Sequence, residues 1–177
     1  MNNPQVIMPL VKQLEQKGIS FTLGGSGMLY YLNLAQSVND WDLMVDCPKS
    51  TFIEAIDGYE WTEQESGDGL FASEYRIEIR SCNVDVIGGF AFRVEANILK
   101  LPLSHIPDRT WHGMNISSPE LWYTAYHMMG RKEKSDLILE YLQTNNEIVN
   151  QHLLNSLLDN GNLTYEIRQG LSTLLKP

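Results

Sequence analysis

Cysteine, histidine, positive charge and long apolar runs are what this chain of 177 residues has least of, and each scarcity removes a class of function. Two cysteines, Cys47 and Cys82, are too few for a disulfide framework or a zinc site, and both fall in segments that read as strand or strand edge; reduced structural thiols are the expectation. His105, His112, His127 and His152 are scattered, without paired spacing or a companion cysteine motif, so none is assigned a ligand role. Thirteen basic residues face 22 acidic ones, a net charge of -9, so the broad positive field that grips phosphate backbones is missing and nucleic acid is not an expected partner. No stretch approaches the roughly 20 apolar residues that span a bilayer. Residues 1–18 also lack the basic start, apolar run and cleavage pattern of a secretory signal, and cytoplasmic residence with no membrane partner is expected.

What is present is an ordinary hydrophobic share, 43%, enough for one full core or a modest core with a helical appendage. Asn3 as cap, Pro4 in the first turn and Gly18 as left-handed stop predict a helix over residues 4–17. A short strand over 19–23 runs into Gly24-Gly25-Ser26-Gly27, followed by a compact apolar helix from Met28 to Leu34. Residues 41–47 alternate as a strand, with Asp40, Asp42, Met44 and Asp46 on one face and Trp41, Leu43 and Val45 on the other. A helix over 49–56, started by Ser50 or Thr51 and ended by Gly58, precedes strands over 61–65, 70–80 and 83–87, with a turn at 66–69 and a short link at 81–82.

The pattern weakens over 90–116, where strands near 92–96 and 98–101 are readable and Pro102 and Pro107 interrupt the rest. From Ser117-Ser118-Pro119-Glu120 onward it becomes helical, over 119–129, 134–143, 148–158 and 165–175. The expected fold class is therefore α+β (α/β), a mixed β-sheet flanked by helices over residues 1–116 and a C-terminal helical subdomain over 117–177, joined through one interface.

Asp40 and Asp42 stand two apart on a strand, so their carboxylates share one side, about 7 Å apart along the backbone, close enough for one metal ion to bridge. Asp85 lies among the strand formers of Asn83-Val84-Asp85-Val86-Ile87. Three acids from two strands make a hard-oxygen set suited to magnesium or manganese. Taken alone, an Asp-x-Asp pair more often caps a turn or sits in water. The Gly25-Ser26 turn shifts that balance, because backbone N–H groups at a strand-to-helix junction can cradle phosphate. Two other glycine-loop patterns fail on spacing: Tyr30 stands where a dinucleotide fingerprint needs its third glycine, and no lysine follows Gly27 as a Walker loop requires.

The order strand, Gly25-Ser26, helix, thirteen intervening residues, Asp40-Trp41-Asp42 and a later strand aspartate, Asp85, resembles the nucleotidyltransferase superfamily, whose DNA polymerase beta-like core is shared by small enzymes that modify aminoglycosides and lincosamides. The match spans residues 21–87, and Ser118-Pro119-Glu120-Leu121 with Gly130-Arg131-Lys132 and Asp136-Leu137 looks like the helical tail of several members. The resemblance implies a nucleotidyltransferase-like fold and metal-dependent transfer of a nucleoside monophosphate from a nucleoside triphosphate to a hydroxyl of a small molecule or protein. It implies nucleotide binding at Gly25 and Ser26, with Asp40, Asp42 and Asp85 as catalytic and metal residues for Mg2+ or Mn2+.

The sequence departs from many members in having no basic residue between Leu34 and Asn39. Neutralisation of phosphate then falls to metal, to Lys49, or to Arg131 and Lys134. That absence also motivates a second reading, a catalytically weak or inactive module of the same fold with a binding or antitoxin-like role. A plain structural domain whose acids solvate a sheet edge is the third. Trp111, Trp122, Tyr123 and Tyr126 either wall an acceptor pocket or serve core packing. Acidic composition favours a cationic acceptor over an anionic one.

Overall fold

The structure, a computed structural model, describes residues 3–65 and 69–176, so the expected turn at 66–69 lies, but for Gly69, outside the described residues. Seven helices and nine strands follow one another among them: α1 (Met8–Gln16), β1 (Phe21–Leu23), α2 (Gly25–Tyr31), β2 (Trp41–Val45), α3 (Lys49–Ala55), β3 (Thr62–Glu63), β4 (Tyr75–Ile79), β5 (Val84–Gly88), β6 (Ala91–Val94), β7 (Asn97–Lys100), β8 (His105–Trp111), β9 (Met114–Ser117), α4 (Pro119–Met128), α5 (Lys132–Thr144), α6 (Gln151–Leu158) and α7 (Tyr165–Ser172). The class is α+β. The main sheet has seven strands in the order β3-β4-β5-β2-β1-β9-β8, and β6 and β7 form a separate hairpin. It is mixed: β2 runs parallel to β5 and β1 parallel to β9, while β1/β2, β3/β4, β4/β5 and β8/β9 are antiparallel.

Strand register separates two faces. Trp41, Leu43 and Val45 lie beside Val84, Val86 and Gly88, which lie beside Ile79, Ile77 and Tyr75, a continuous apolar face across β2, β5 and β4. All of these are buried. Helix α3 sets Phe52 against Tyr75 (ring centroids 6.0 Å), and Gln13 of α1 donates to the carbonyls of Ala55 and Asp57, so α1 and α3 are tied to each other. Gly88 has no side chain for a packing reason: a Cβ there would lie 2.1 Å from the Tyr75 ring. The opposite face carries Asp42, Met44, Asp85, Ile87, Arg76 and Glu78. There α4 docks through Trp122, whose Nε1 donates to Ser117 Oγ at 3.1 Å, while that hydroxyl donates to Met44 Sδ at 3.5 Å. Glu120, buried at the start of α4, accepts the Asn150 N–H at 2.7 Å and pins the α6 entrance to α4; burial raises its carboxyl pKa.

Several elements depart from the expected boundaries for local reasons. The helix expected over 4–17 is broken: Asn3 caps only a 3-10 turn, Pro4–Val6, and α1 begins at Met8 with Pro9 in its first turn. Pro9 lacks an N–H and its ring clashes with the carbonyl four residues back, so the α-helix cannot start earlier. The strand expected over 70–80 is confined to Tyr75–Ile79, because residues 70–72 pair instead with β6: Ala72 N donates to Ala91 O, and Arg93 N to Leu70 O. Helix 148–158 starts at Gln151, where Asn150 Oδ1 accepts the Leu153 N–H at 3.0 Å. Segment 102–116 holds an unexpected hairpin, β8–β9. Pro107 is tolerated because β8 is an edge strand. The two-residue turn places His112 at φ 51° and Gly113 at φ 84°, the left-handed pair that a tight hairpin needs. Asparagine adopts that conformation more readily than histidine, so His112→Asn is expected to stabilise the fold by about 0.5 kcal/mol, read as a raised thermal midpoint.

Candidate active site

Parallel pairing of β2 with β5 makes Asp42 and Asp85 direct neighbours in register, with their side chains on the same face. Asp40 joins them from the residue pair preceding β2, and one carboxylate oxygen from each acid lies within 4.8 Å of the others. The structure thus brings Asp40, Asp42 and Asp85 together at one point. Donors hold the cluster from one side. Ser26 Oγ donates to Asp40 O at 2.8 Å and accepts from Asn39 N at 3.1 Å, while the Ser26 backbone N–H supports the Asp42 carboxylate. Asn83, in the left-handed conformation at φ 53°, donates to Asn39 O at 2.6 Å and fixes the loop from the other side.

Gly25, Ser26 and Gly27, expected as a turn ahead of a helix from Met28, are the first residues of α2, and glycine is required at this strand-to-helix turn. Gly25 has φ 51°, and a Cβ on it would lie 1.6 Å from Asp42 Oδ2, so the backbone passes directly against the acid. A Cβ on Gly24 would meet the Trp122 ring at 2.1 Å. The turn therefore accommodates the acids on one side and α4 on the other. In this arrangement Ser26 is committed to Asp40, Asn39 and Asp42.

Packing three carboxylates this closely has an electrostatic cost. Burial, reinforced by the charges of Asp40 and Asp85, raises the Asp42 pKa to about 7, against the opposing pull of the Ser26 N–H and Arg131. Asp85 is also raised by burial; Arg76 counters this, and Asp40 and Glu78 add to it. A divalent cation fits this donor set: three hard oxygens within 4.8 Å compare with about 4.2 Å across an octahedral magnesium shell.

The acids open into a cleft of about 350 Å³ bounded by Ser26, Asn39, Phe71, Arg76, Ile87, Phe90, Trp122, Tyr126, Met129, Arg131 and Lys134. An aromatic wall runs along it. Phe71 meets Phe92 (5.4 Å), Phe92 meets Phe90 (5.1 Å), Phe90 meets Trp122 (5.5 Å) and Trp122 meets Tyr126 (5.4 Å). Each end of the wall carries cations: Arg76 lies 4.7 Å from the Phe71 centroid, and Arg131 and Lys134 lie 5.9 and 5.0 Å from Tyr126. Trp122 and Tyr126 thus both pack and line the cleft. Tyr123 faces α7, where a Cβ on Gly170 would strike its hydroxyl, and Trp111 sits with Tyr30, Tyr31 and Trp41. Lys49 pairs with Glu63 and does not line the cleft. Sequence reasoning missed Phe71, Arg76, Phe90 and Met129. Arg76 and Glu78 alternate with buried Tyr75, Ile77 and Ile79, so their shared face was readable, but the pairing of Glu78 with Asp85 was not.

No family model and no curated protein matches the chain. Solved structures do. A candidate nucleotidyltransferase from Thermotoga maritima superposes with a TM-score of 0.52 at 18% identity, covering 81% of this chain and 96% of that one. The solution structure of the antibiotic-resistance factor ANT(2'')-Ia gives 0.55 at 13% identity over 80% of this chain and 86% of its own. Its crystal structure in complex with adenylyl-2''-tobramycin gives 0.51 at 12% identity over 79% and 90%. The fold is that of nucleotidyltransferases. On this nucleotidyltransferase fold the carboxylate cluster lies on the sheet face that α4 only partly covers, which leaves the cleft open.

Two outcomes follow from the geometry. Gly25→Ala is expected to destabilise the protein by about 2 kcal/mol or more in thermal or urea unfolding, since it combines left-handed strain with a collision at Asp42. Without divalent cation, the folded state holds a proton on Asp42 up to about pH 7, whereas the unfolded chain releases it near the ordinary value of 3.8. The folded form then binds more protons through that window, so stability falls as pH rises from about 4 to 7; Asp42→Asn should flatten the slope in a metal-free melting series.

Proposed function

We propose that the chain is a metal-dependent nucleotidyltransferase that moves a nucleoside monophosphate from a nucleoside triphosphate to a hydroxyl of a small molecule or protein. The observation that carries this reading is the convergence of Asp40, Asp42 and Asp85 within 4.8 Å, at the floor of a cleft whose aromatic wall has cations at both ends. ANT(2'')-Ia, which shares the fold, was captured with an adenylylated aminoglycoside, and this supports nucleotidyl transfer as the chemistry of such a cleft.

Asp40, Asp42 and Asp85 would hold magnesium or manganese. When bound, such a cation stabilises charge on the phosphoryl oxygens of an in-line displacement. The Gly25-Ser26 turn borders the nucleotide end, and Arg131 and Lys134, over Tyr126, are placed to meet phosphate charge there. Asp85, on the far side of Asp42 from that turn, receives the acceptor's hydroxyl proton. The acceptor oxygen bonds the α-phosphorus, the bond to the bridging oxygen breaks, and pyrophosphate departs. The aromatic wall offers ring faces on which a base or sugar can stack.

A second reading, a binding module of the same fold, draws on the commitment of Ser26 to neighbouring protein groups and on the uncharged loop between Leu34 and Asn39. Calorimetry with magnesium and each common nucleoside triphosphate, paired with a pyrophosphate-release assay over an acceptor panel, separates the two. Transfer predicts binding and release, and Asp42→Asn or Asp85→Asn should lower turnover at least 100-fold. Binding with no release supports the module; absence of any nucleotide binding removes both. Magnesium should raise the thermal midpoint of the wild type and have little effect on Asp42→Asn, with metal affinity falling as pH drops below about 7.

A further inference from the structure

The two cationic ends of the cleft are not equivalent. At the Tyr126 end, Arg131 is exposed and belongs to the junction between α4 and α5. At the Phe71 end, Arg76 projects from β4, and its Nε is buried without a hydrogen-bond partner. Among the described residues only Thr22 Oγ1 and Glu120 Oε2 share that condition, and neither lines the cleft. Arg76 takes part in none of the ion pairs among the described residues. Its carboxylate neighbour on the strand, Glu78, is engaged elsewhere, accepting from Arg80 at 3.2 Å and from Gln64 at 2.7 Å. Asp85 is the carboxylate on which the Arg76 charge acts within the cleft, yet the two form no ion pair, and a guanidinium braced against a ring at the edge of an open cleft can still take an oxyanion.

Strand order says whose anion it is. From the Gly25 turn the sheet runs through Asp42 on β2 and Asp85 on β5 to Arg76 on β4. We propose that Arg76 is an oxyanion anchor for the acceptor, holding a phosphate or carboxylate group carried by the molecule whose hydroxyl reacts beside Asp85. The role of Arg76 toward an acceptor rests on the nucleotidyl-transfer reading; the oxyanion site itself does not. The guanidinium fork grips such a group through two parallel N–H donors, and with its side chain braced against Phe71 it orients the acceptor while losing little freedom. The net charge of -9 argues for a cationic acceptor only at long range, where salt screens it beyond about 8 Å; inside the cleft the nearest fixed charge decides.

Inorganic phosphate and acetate, titrated onto the full chain by calorimetry, test the anchor without a known acceptor. Saturable binding of one of them to the wild type is expected, weakened at least tenfold in Arg76→Gln, intermediate in Arg76→Lys, and retained in Arg109→Gln on the distant β8 edge. The preferred probe tells phosphate from carboxylate. Thermal midpoints check folding, and the Lys variant reads the site should the Gln variant unfold. No saturable binding to the wild type, or equal binding to Arg76→Gln, overturns the anchor. A parallel titration uses magnesium and a non-hydrolysable nucleotide that binds the wild type: a Kd raised tenfold in Arg76→Gln assigns the guanidinium to the nucleotide's own phosphates and overturns the acceptor assignment. If no nucleotide binds the wild type while phosphate binding still depends on Arg76, the transfer reading fails and the oxyanion site stands.

Discussion

Repulsion among three carboxylates held at the end of two parallel strands is the constraint around which the rest of the site is arranged. Asp42 lies between Asp40 and Asp85 in a part of the sheet where water cannot screen it well, and its proton affinity rises accordingly. Such a cluster persists because rigid elements on every side fix it: the Ser26 hydroxyl and N–H, the Asn83 side chain on the Asn39 carbonyl, and five in-register pairs between β2 and β5. The surrounding fold supplies the stability that the cluster itself withdraws, as is common where a site is prepared for a charged ligand.

The backbone of the turn shows how little room that arrangement leaves. Gly24 and Gly25 are flanked by Trp122 and Asp42 so closely that neither position has space for a methyl group. The same tryptophan reaches Ser117 and through it Met44, so the docking of α4 and the placement of the acids share a single set of contacts. A displacement of α4 would move the cleft wall and the turn together. This couples the C-terminal helices to the carboxylate cluster on the sheet.

Charge distribution inside the cleft differs from that of the whole chain. A molecule with a net charge of -9 still places Arg76, Arg131 and Lys134 around its acids, each beside an aromatic ring and in none of the ion pairs among the described residues. A ring holds a cation without neutralising it, which leaves its charge able to act on other groups in the cleft. Bulk composition therefore describes the approach of a ligand from a distance and says little about the groups it meets on arrival.

Local chemistry was legible in the sequence wherever it depended on spacing along the chain. The strand placement of Asp42 and Asp85, the glycine-rich strand-to-helix junction at Gly25-Ser26 and the helical character of residues 119–175 follow from periods of 2 and 3.6 and from glycine and proline punctuation, whereas Asp40, expected on the same strand, lies just before β2 and is held there by Ser26. Pro9 is equally visible in the sequence and defines where α1 can start, a signal that competes with those at Asn3 and Gly18. Tertiary structure alone decided the rest: that β2 and β5 are parallel neighbours in a register setting Asp42 beside Asp85, that Glu78 faces Asp85, and that Phe71, Phe90 and Trp122 line one wall ending at Arg76. The physical reason is that strand pairing and helix docking join residues dozens of positions apart through backbone hydrogen bonds and side-chain shape, and neither leaves a periodic trace in the chain that carries it.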